Sequence, residues 1–451
     1  MGKYRNCDEY RGFDHGLSYM TGVSDLNPWA LRYMMRPHSH TSRTFWSFYN
    51  ETVEMIKEYM HTKATLVPVV GPGRVAMDAA VNNFLEPGDA MVMIDNGFWG
   101  RYPEVMAQTY GIEVVPLVFP SNRPVAPGVV EERLQEMTKD IRVVHMMHVE
   151  TESGIINPIR KIGEIVHRVL PDSLFIVDSA TAFPGNKLLV DEWGIDVDYF
   201  VSHKGFNGPS GLTFLSVNER AMEAVQRRKT LARGWYTSIK NWKESWLEYE
   251  NDGRHCLESF PNLTLLAMRA KLDLMNQMGE EKYLKKYRLA SKAIRMGLRK
   301  MTVPDELLLV PGPRCEGCPG CDATDPNENP DGVGRFCAQT DVTIAYPKGT
   351  DWKKVMETLE ERYWITCPHF GFGDIRKDGY FYSGNGMRVG MVNDRQHYPH
   401  NILALITGLG FSLKEAGVQQ IRWEKGVEAT NRVLEEMQRE LGWDYYEKSS
   451  G

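Results

Sequence analysis

Apolar residues recur along this chain with two different periods, and the places where one gives way to the other outline its elements. Phe45, Phe48, Val53, Ile56 and Tyr59 fall at roughly helical spacing, which predicts a helix over 45–59. Short apolar runs then follow at 66–70, 90–94, 113–118, 143–147, 174–177, 199–201 and 212–216, each of strand length. Helical patterns separate most of them, at 74–84, 102–109, 129–138 and 159–170. This alternation predicts an α/β fold whose mainly parallel, seven-stranded sheet is covered on both faces. Ligands of such a sheet bind at the carboxyl ends of its strands.

Near Pro261 the texture changes to a long helical region, 263–301, rich in alanine, leucine, methionine and lysine. The expected division is an N-terminal arm (1–20), a large domain (21–260) and a smaller α+β C-terminal domain (261–451). The last is expected to contain a Pro/Gly/Asp-rich insertion at about 311–337, strands at 340–346 and 387–392, a helix at 352–363 and a closing amphipathic helix. No internal repeat or Gly/Ser linker interrupts this plan.

Composition narrows the function. With 451 residues, 42% hydrophobic and 25% charged, the chain can bury two ordinary cores. A net charge of -6 and the lack of a Lys/Arg-rich stripe provide no field for nucleic acid, leaving small-molecule chemistry. The start of the chain lacks an apolar signal region and no later stretch has the length of a membrane span, so no membrane association and a cytoplasmic location are expected. Seven cysteines, unevenly placed, do not form a disulfide framework.

Two strand ends carry the chemistry. Ile176-Val177-Asp178 places a carboxylate at the end of one apolar run, and Tyr199-Phe200-Val201-Ser202-His203-Lys204 a lysine after another. A pyridoxal phosphate (PLP) enzyme needs this pair: the amine holds the cofactor as a Schiff base and the carboxylate pairs with the protonated ring nitrogen. Gly71-Pro72-Gly73-Arg74 opens a predicted helix after a predicted strand, where free backbone N–H groups can bind a phosphate. Each feature alone has a plainer reading. Asp178 could cap a helix, Lys204 could be solvated, Trp99 could be a packed aromatic and Arg388 a surface ion pair. Their order, phosphate cradle, pyridine partner, then lysine, is that of a fold-type I PLP enzyme.

The chain resembles the class V aminotransferases, and within them the alanine–glyoxylate and serine–glyoxylate group. The resemblance lies in Gly71-Pro72-Gly73-Arg74, Asn96-Gly97-Phe98-Trp99-Gly100, His148-Val149-Glu150-Thr151-Glu152-Ser153-Gly154, Val177-Asp178-Ser179, Ser202-His203-Lys204 and Met387-Arg388-Val389-Gly390. It implies that Gly73 and Arg74 offer backbone groups to the phosphate and that Trp99 stacks on the pyridine ring. By the same resemblance Thr151 bonds the phenolic oxygen, Asp178 the ring nitrogen, and His203 and Lys204 complete the cofactor set. Arg388 would bind the substrate carboxylate through a bidentate pair. The resemblance further implies a homodimer with the active site at the subunit interface, where a partner's tyrosine and threonine help hold the phosphate. Here Cys256 and Ser259 stand nearest those positions, and only Ser259 is a plausible replacement.

The expected reaction is ping-pong transfer of an amino group from a small amino acid to a small 2-oxo acid such as glyoxylate or pyruvate, with Lys204 as general base. One alternative is a cysteine desulfurase or β-lyase, because a histidine also precedes the lysine in those enzymes. Their nucleophilic cysteine has no clear counterpart: Cys367 is displaced toward a strand and Gly373 holds the expected place. A non-catalytic PLP-fold binding protein is the other alternative. Separately, Cys315, Cys318 and Cys321 at C-x2-C-x2-C spacing, with Cys337, could hold a structural zinc or an iron–sulfur cluster, against the plainer reading of an exposed loop with reduced thiols.

Overall fold

The computed structural model of the chain describes residues 16–22, 26–36, 39–121, 123–247, 259–301, 337–347, 349–370 and 386–442. Its central sheet contains β1 (Thr65–Val70), β2 (Ala90–Asp95), β3 (Glu113–Val118), β4 (Ile141–Met147), β5 (Leu174–Asp178), β6 (Val197–Val201) and β7 (Leu212–Val217). The strand order is β1-β7-β6-β5-β4-β2-β3. The four pairings from β6 to β3 run parallel, while β7 runs antiparallel to both β1 and β6. Every residue of β2, β5, β6 and β7 is buried, because helices cover both faces. That is why these strands read as continuous apolar runs, and why their bounds match the sequence expectation within two residues.

The expected helical region 263–301 is two helices, Asn262–Met278 and Glu280–Met301. Gly279 separates them at φ 76°, a backbone state that glycine adopts without the Cβ penalty. The helix Pro399–Glu415 was not anticipated, since Gly408 and Gly410 lower its intrinsic propensity. Packing requires both glycines: a Cβ on Gly410 would lie 2.5 Å from Trp423 Cβ, and one on Gly408 3.0 Å from Tyr363 Cγ. Among the described residues no helix is long and apolar enough to cross a membrane.

A second core lies beyond these helices. Strands β8 (Asp341–Ala345), β9 (His369–Phe370) and β10 (Gly386–Gly390) form an antiparallel sheet in the order β8-β10-β9. Val342, Ile344, Met387 and Val389 face the apolar cluster with Leu289, Ile294, Leu405 and Leu409. Alternation therefore puts Asp341, Thr343 and Arg388 on the opposite face. Gly390 N donates to Tyr19 O at 2.7 Å, so the N-terminal segment lies along this sheet.

A buried triad ties the helices to the turn after β10. Lys271 Nζ and Lys286 Nζ stand 2.8 and 2.6 Å from Asp394 Oδ1. Burial disfavours the Asp394 charge, but the two ammonium groups outweigh it and hold its carboxyl well below the usual range. Asp394→Ala would leave two buried cations without their counterion. The expected loss is about 3–5 kcal/mol of unfolding free energy, read from urea titrations. A loss below about 1 kcal/mol would mean the triad behaves as a surface pair.

Candidate active site

Lys204 is placed by a tight turn at the end of β6. Asn207 N donates to Lys204 O at 2.8 Å, Gly208 N to Ser202 O at 2.9 Å, and Ser202 Oγ to Pro209 O at 2.7 Å. Asn207 takes φ 53°, a left-handed state that asparagine tolerates better than most residues. The turn directs the lysine inward. Lys204 Nζ donates to Thr181 Oγ1 at 2.6 Å, and that hydroxyl lies 2.7 Å from Thr151 Oγ1. The same ammonium sits 5.6 Å from the centre of the Trp99 ring. Burial lowers its pKa; Asp178 opposes that shift and Arg388 reinforces it. A lysine in these surroundings can lose its proton far more readily than a solvated one.

Asp178 ends β5, the strand beside β6, and is buried. Its Oδ1 accepts from Ala180 N at 2.8 Å, whereas Oδ2 is buried with no hydrogen-bond partner among the described residues. Burial raises this carboxyl to about 6, against the pull of the Lys204 charge and the Ala180 N–H. Tyr199, its neighbour in register on β6, also favours the charged form, but the hydrogen bond of its hydroxyl is with His145 Nε2 at 2.9 Å. Ser179 Oγ donates to Asp198 Oδ2 at 2.5 Å, and burial pushes Asp198 well above the usual carboxyl range.

The helix Gly73–Phe84 points its N-terminus into the same region, because Gly73 packs on Val201 at the end of β6. Its N-cap, Pro72, makes no side-chain cap, so the first-turn N–H groups have no capping acceptor from that residue. The Arg74 side chain is exposed on the rim, with its guanidinium 4.8 Å from the Tyr102 ring and 5.8 Å from the Trp99 ring. Nη2 of Arg74 donates to the Tyr102 hydroxyl at 3.0 Å. Trp99 stacks on Tyr102 with ring centres 5.4 Å apart, and its Nε1 is buried without a hydrogen-bond partner among the described residues. His203 is partly buried, and burial lowers its pKa to about 4, so the ring is neutral at pH 7.

The structure thus gathers Lys204, Asp178, Thr151 and Trp99, with Gly73 and Arg74 at the adjoining helix start. Arg388 belongs to the same electrostatic group, since its charge acts on Lys204. Ser259 is exposed at the approach to the helix Asn262–Met278. Cys337 is buried and pairs across an isolated bridge with Ile155. Cys315, Cys318, Cys321, Cys256 and Gly373 lie outside the described residues, and among the described residues no cluster of three or more His, Cys, Asp or Glu could hold a metal. Cys367 is buried, and burial raises its thiol pKa far above the ordinary value.

Sequence reasoning missed several members of this region. Thr181, which meets the Lys204 amine, sits in the turn after β5 with no distinctive spacing. Glu150 accepts from Gly100 N at 3.2 Å and Glu152 from Phe98 N at 3.1 Å, so the two carboxyls hold the loop that carries Trp99. Burial raises Glu150 to about 8 and Glu152 to about 7. Two acids on either side of Thr151 in a strand-end motif were the available signal.

A sheet of this order, with a buried aspartate and an inward lysine on adjacent strand ends, has the fold of the fold-type I PLP-dependent enzymes. The class-V aminotransferase family matches residues 31–324, and the chain belongs to that family. It is 28% identical over 332 residues to the alanine–glyoxylate aminotransferase of Callithrix jacchus, covering 72% of each chain. It is 29% identical over 423 residues to an uncharacterized aminotransferase of Methanocaldococcus jannaschii, covering 93% of this chain and 97% of that one. In structure it resembles the pyridoxamine–pyruvate aminotransferase of Mesorhizobium loti with a TM-score of 0.78 at 22% identity, over 95% of this chain and 99% of that one.

Proposed function

We propose that this PLP-dependent aminotransferase moves an amino group from a small amino acid to a small 2-oxo acid, glyoxylate or pyruvate, by a ping-pong route. The observation that carries the proposal is the largely buried Lys204 amine beside Asp178, whose Oδ2 has no hydrogen-bond partner among the described residues. An orphaned buried carboxylate oxygen fits the protonated ring nitrogen of PLP, and the uncapped helix start at Gly73 and Arg74 fits its phosphate. Thr151 would meet the phenolic oxygen and Trp99 the ring face, with His203 beside the lysine. Bound PLP supplies the electron sink for the charge left at the substrate Cα. Lys204 Nζ would remove the α-proton, and Arg388 would orient the substrate through its carboxylate.

A homodimer in which Ser259 reaches the partner's phosphate site, a cytoplasmic location, and a zinc or iron–sulfur centre on Cys315, Cys318, Cys321 and Cys337 belong to the same proposal. The dimer rests on the family pattern, the location on the composition of the chain and the metal centre on the thiol spacing. The burial of Cys367 and its raised pKa favour transamination over desulfurase chemistry, which needs an accessible thiolate. The test is a half-reaction. Protein mixed with a competent donor and no acceptor should release one equivalent of oxo acid and retain the cofactor as its pyridoxamine form. Sulfide release from cysteine without that form would overturn the proposal, and a protein that binds PLP but converts no donor would support the binding-protein alternative.

A further inference from the structure

The small sheet places a carboxyl where the reaction just described has no use for one. Thr343 faces Arg388 across β8 and β10 and Asp341 faces Gly390, so Asp341 and Arg388 are diagonal neighbours on one face. Diagonal pairs lie roughly 7–8 Å apart, within reach of a long side chain or a small ligand. This face meets the turn that carries Thr151. A Cβ on Gly154 would lie 3.2 Å from both Asp341 O and Thr343 Oγ1, and Thr343 Oγ1 donates to Glu152 O at 2.8 Å.

Asp341 is fully buried, yet neither carboxylate oxygen has a hydrogen-bond partner among the described residues. It is therefore not hydrogen-bonded to Arg388 as an internal counterion would be. The Thr21 hydroxyl, which favours the charged form of Asp341, is also buried and makes no hydrogen bond of normal geometry. Burial raises Asp341 to about 7 while Arg388 and Lys204 pull it down, and burial likewise raises Glu152 against the pull of the same guanidinium. A buried carboxyl left unpaired is costly, and a cation or a strong donor entering the site relieves that cost. Arg388 by itself would repel a substrate with a positive side chain. An acid on the same face removes that repulsion and reverses the preference.

We propose that Asp341, supported by Glu152, forms a subsite for a second cationic nitrogen on the amino donor, so that short diamino acids are preferred over neutral ones of the same length. This rests on the aminotransferase reading, with Arg388 on the α-carboxylate and Lys204 at the α-carbon. The acid shares a face of the small sheet with Arg388, so the second ammonium group belongs only a few bonds from Cα. Neutral alanine-like donors would leave Asp341 unpaired.

The experiment uses the full chain with PLP bound and two ligands that have no α-hydrogen, α-methyl-2,4-diaminobutyrate and its neutral counterpart isovaline, so that binding is read without turnover. Calorimetric titration should give a dissociation constant for the diamino ligand lower than that for isovaline by a factor on the order of ten or more. In Asp341→Asn that ratio should fall close to one, and Glu152→Gln should reduce it in part. An equal or reversed ratio in the wild-type protein, or a ratio untouched by Asp341→Asn, overturns the subsite while leaving the aminotransferase reading in place. If Asp341→Asn does not fold, the wild-type ratio and Glu152→Gln decide. If the PLP-loaded protein binds neither ligand while the half-reaction proceeds with a neutral donor, the subsite falls and the aminotransferase reading stands.

Discussion

Lys204→Ala is expected to lower turnover by at least about a thousandfold, within the range that a positioned general acid–base group contributes. The variant should still fold. Lys204 Nζ donates to the Thr181 hydroxyl and burial opposes its charge, so alanine removes a group that costs stability in the free protein. Borohydride should fix the cofactor covalently to the wild-type protein at Lys204 and leave the variant without a labelled lysine, as read by peptide mass. Among the described residues Lys271 and Lys286 are also buried, but both are held by Asp394 and make poor competitors. Label recovered on either of them in the wild-type protein would refute the assignment of Lys204.

Arg388→Ala should act differently. Its expected cost is on the order of 2–5 kcal/mol in kcat/KM for carboxylate substrates, the range for truncating one partner of a buried charge pair. The loss should fall mainly on substrate affinity, with PLP retention little changed, because Arg388 sits on the small sheet and not at the strand ends that hold Lys204 and Asp178. Removing the guanidinium also removes the charge that holds Asp341 and Glu152 down. Both carboxyls should then bind protons more tightly, and the pH at which substrate affinity changes should move upward. Unchanged kinetics with donor and acceptor would show that another group reads the carboxylate.

Much of the seven-stranded sheet was legible because most of its inner strands are buried on both faces. A strand buried on both faces between parallel neighbours must be largely apolar, so 90–94 and 174–177 announce themselves without any alternation. Asp178 and Lys204 stood out for the same reason, as charged residues at the ends of runs that otherwise exclude charge. The helix Pro399–Glu415 escaped because Gly408 and Gly410 look like breakers until Tyr363 and Trp423 are seen packed against them. The division of 263–301 at Gly279 depended on a positive φ that sequence alone does not reveal.

Sequence by itself determined the α/β class, the family, and the candidate lysine, aspartate and arginine, because each depends on residue type and order along the chain. Tertiary structure alone decided what surrounds them. Thr181 reaches Lys204 from 23 residues upstream, and Asp341 reaches the neighbourhood of Arg388 only through the pairing of β8 with β10. Whether a carboxyl is charged, half-neutral or poised for a ligand depends on what is buried beside it. Asp178, Glu152 and Asp341 are ordinary acids in the sequence, and only burial raises all three toward neutrality.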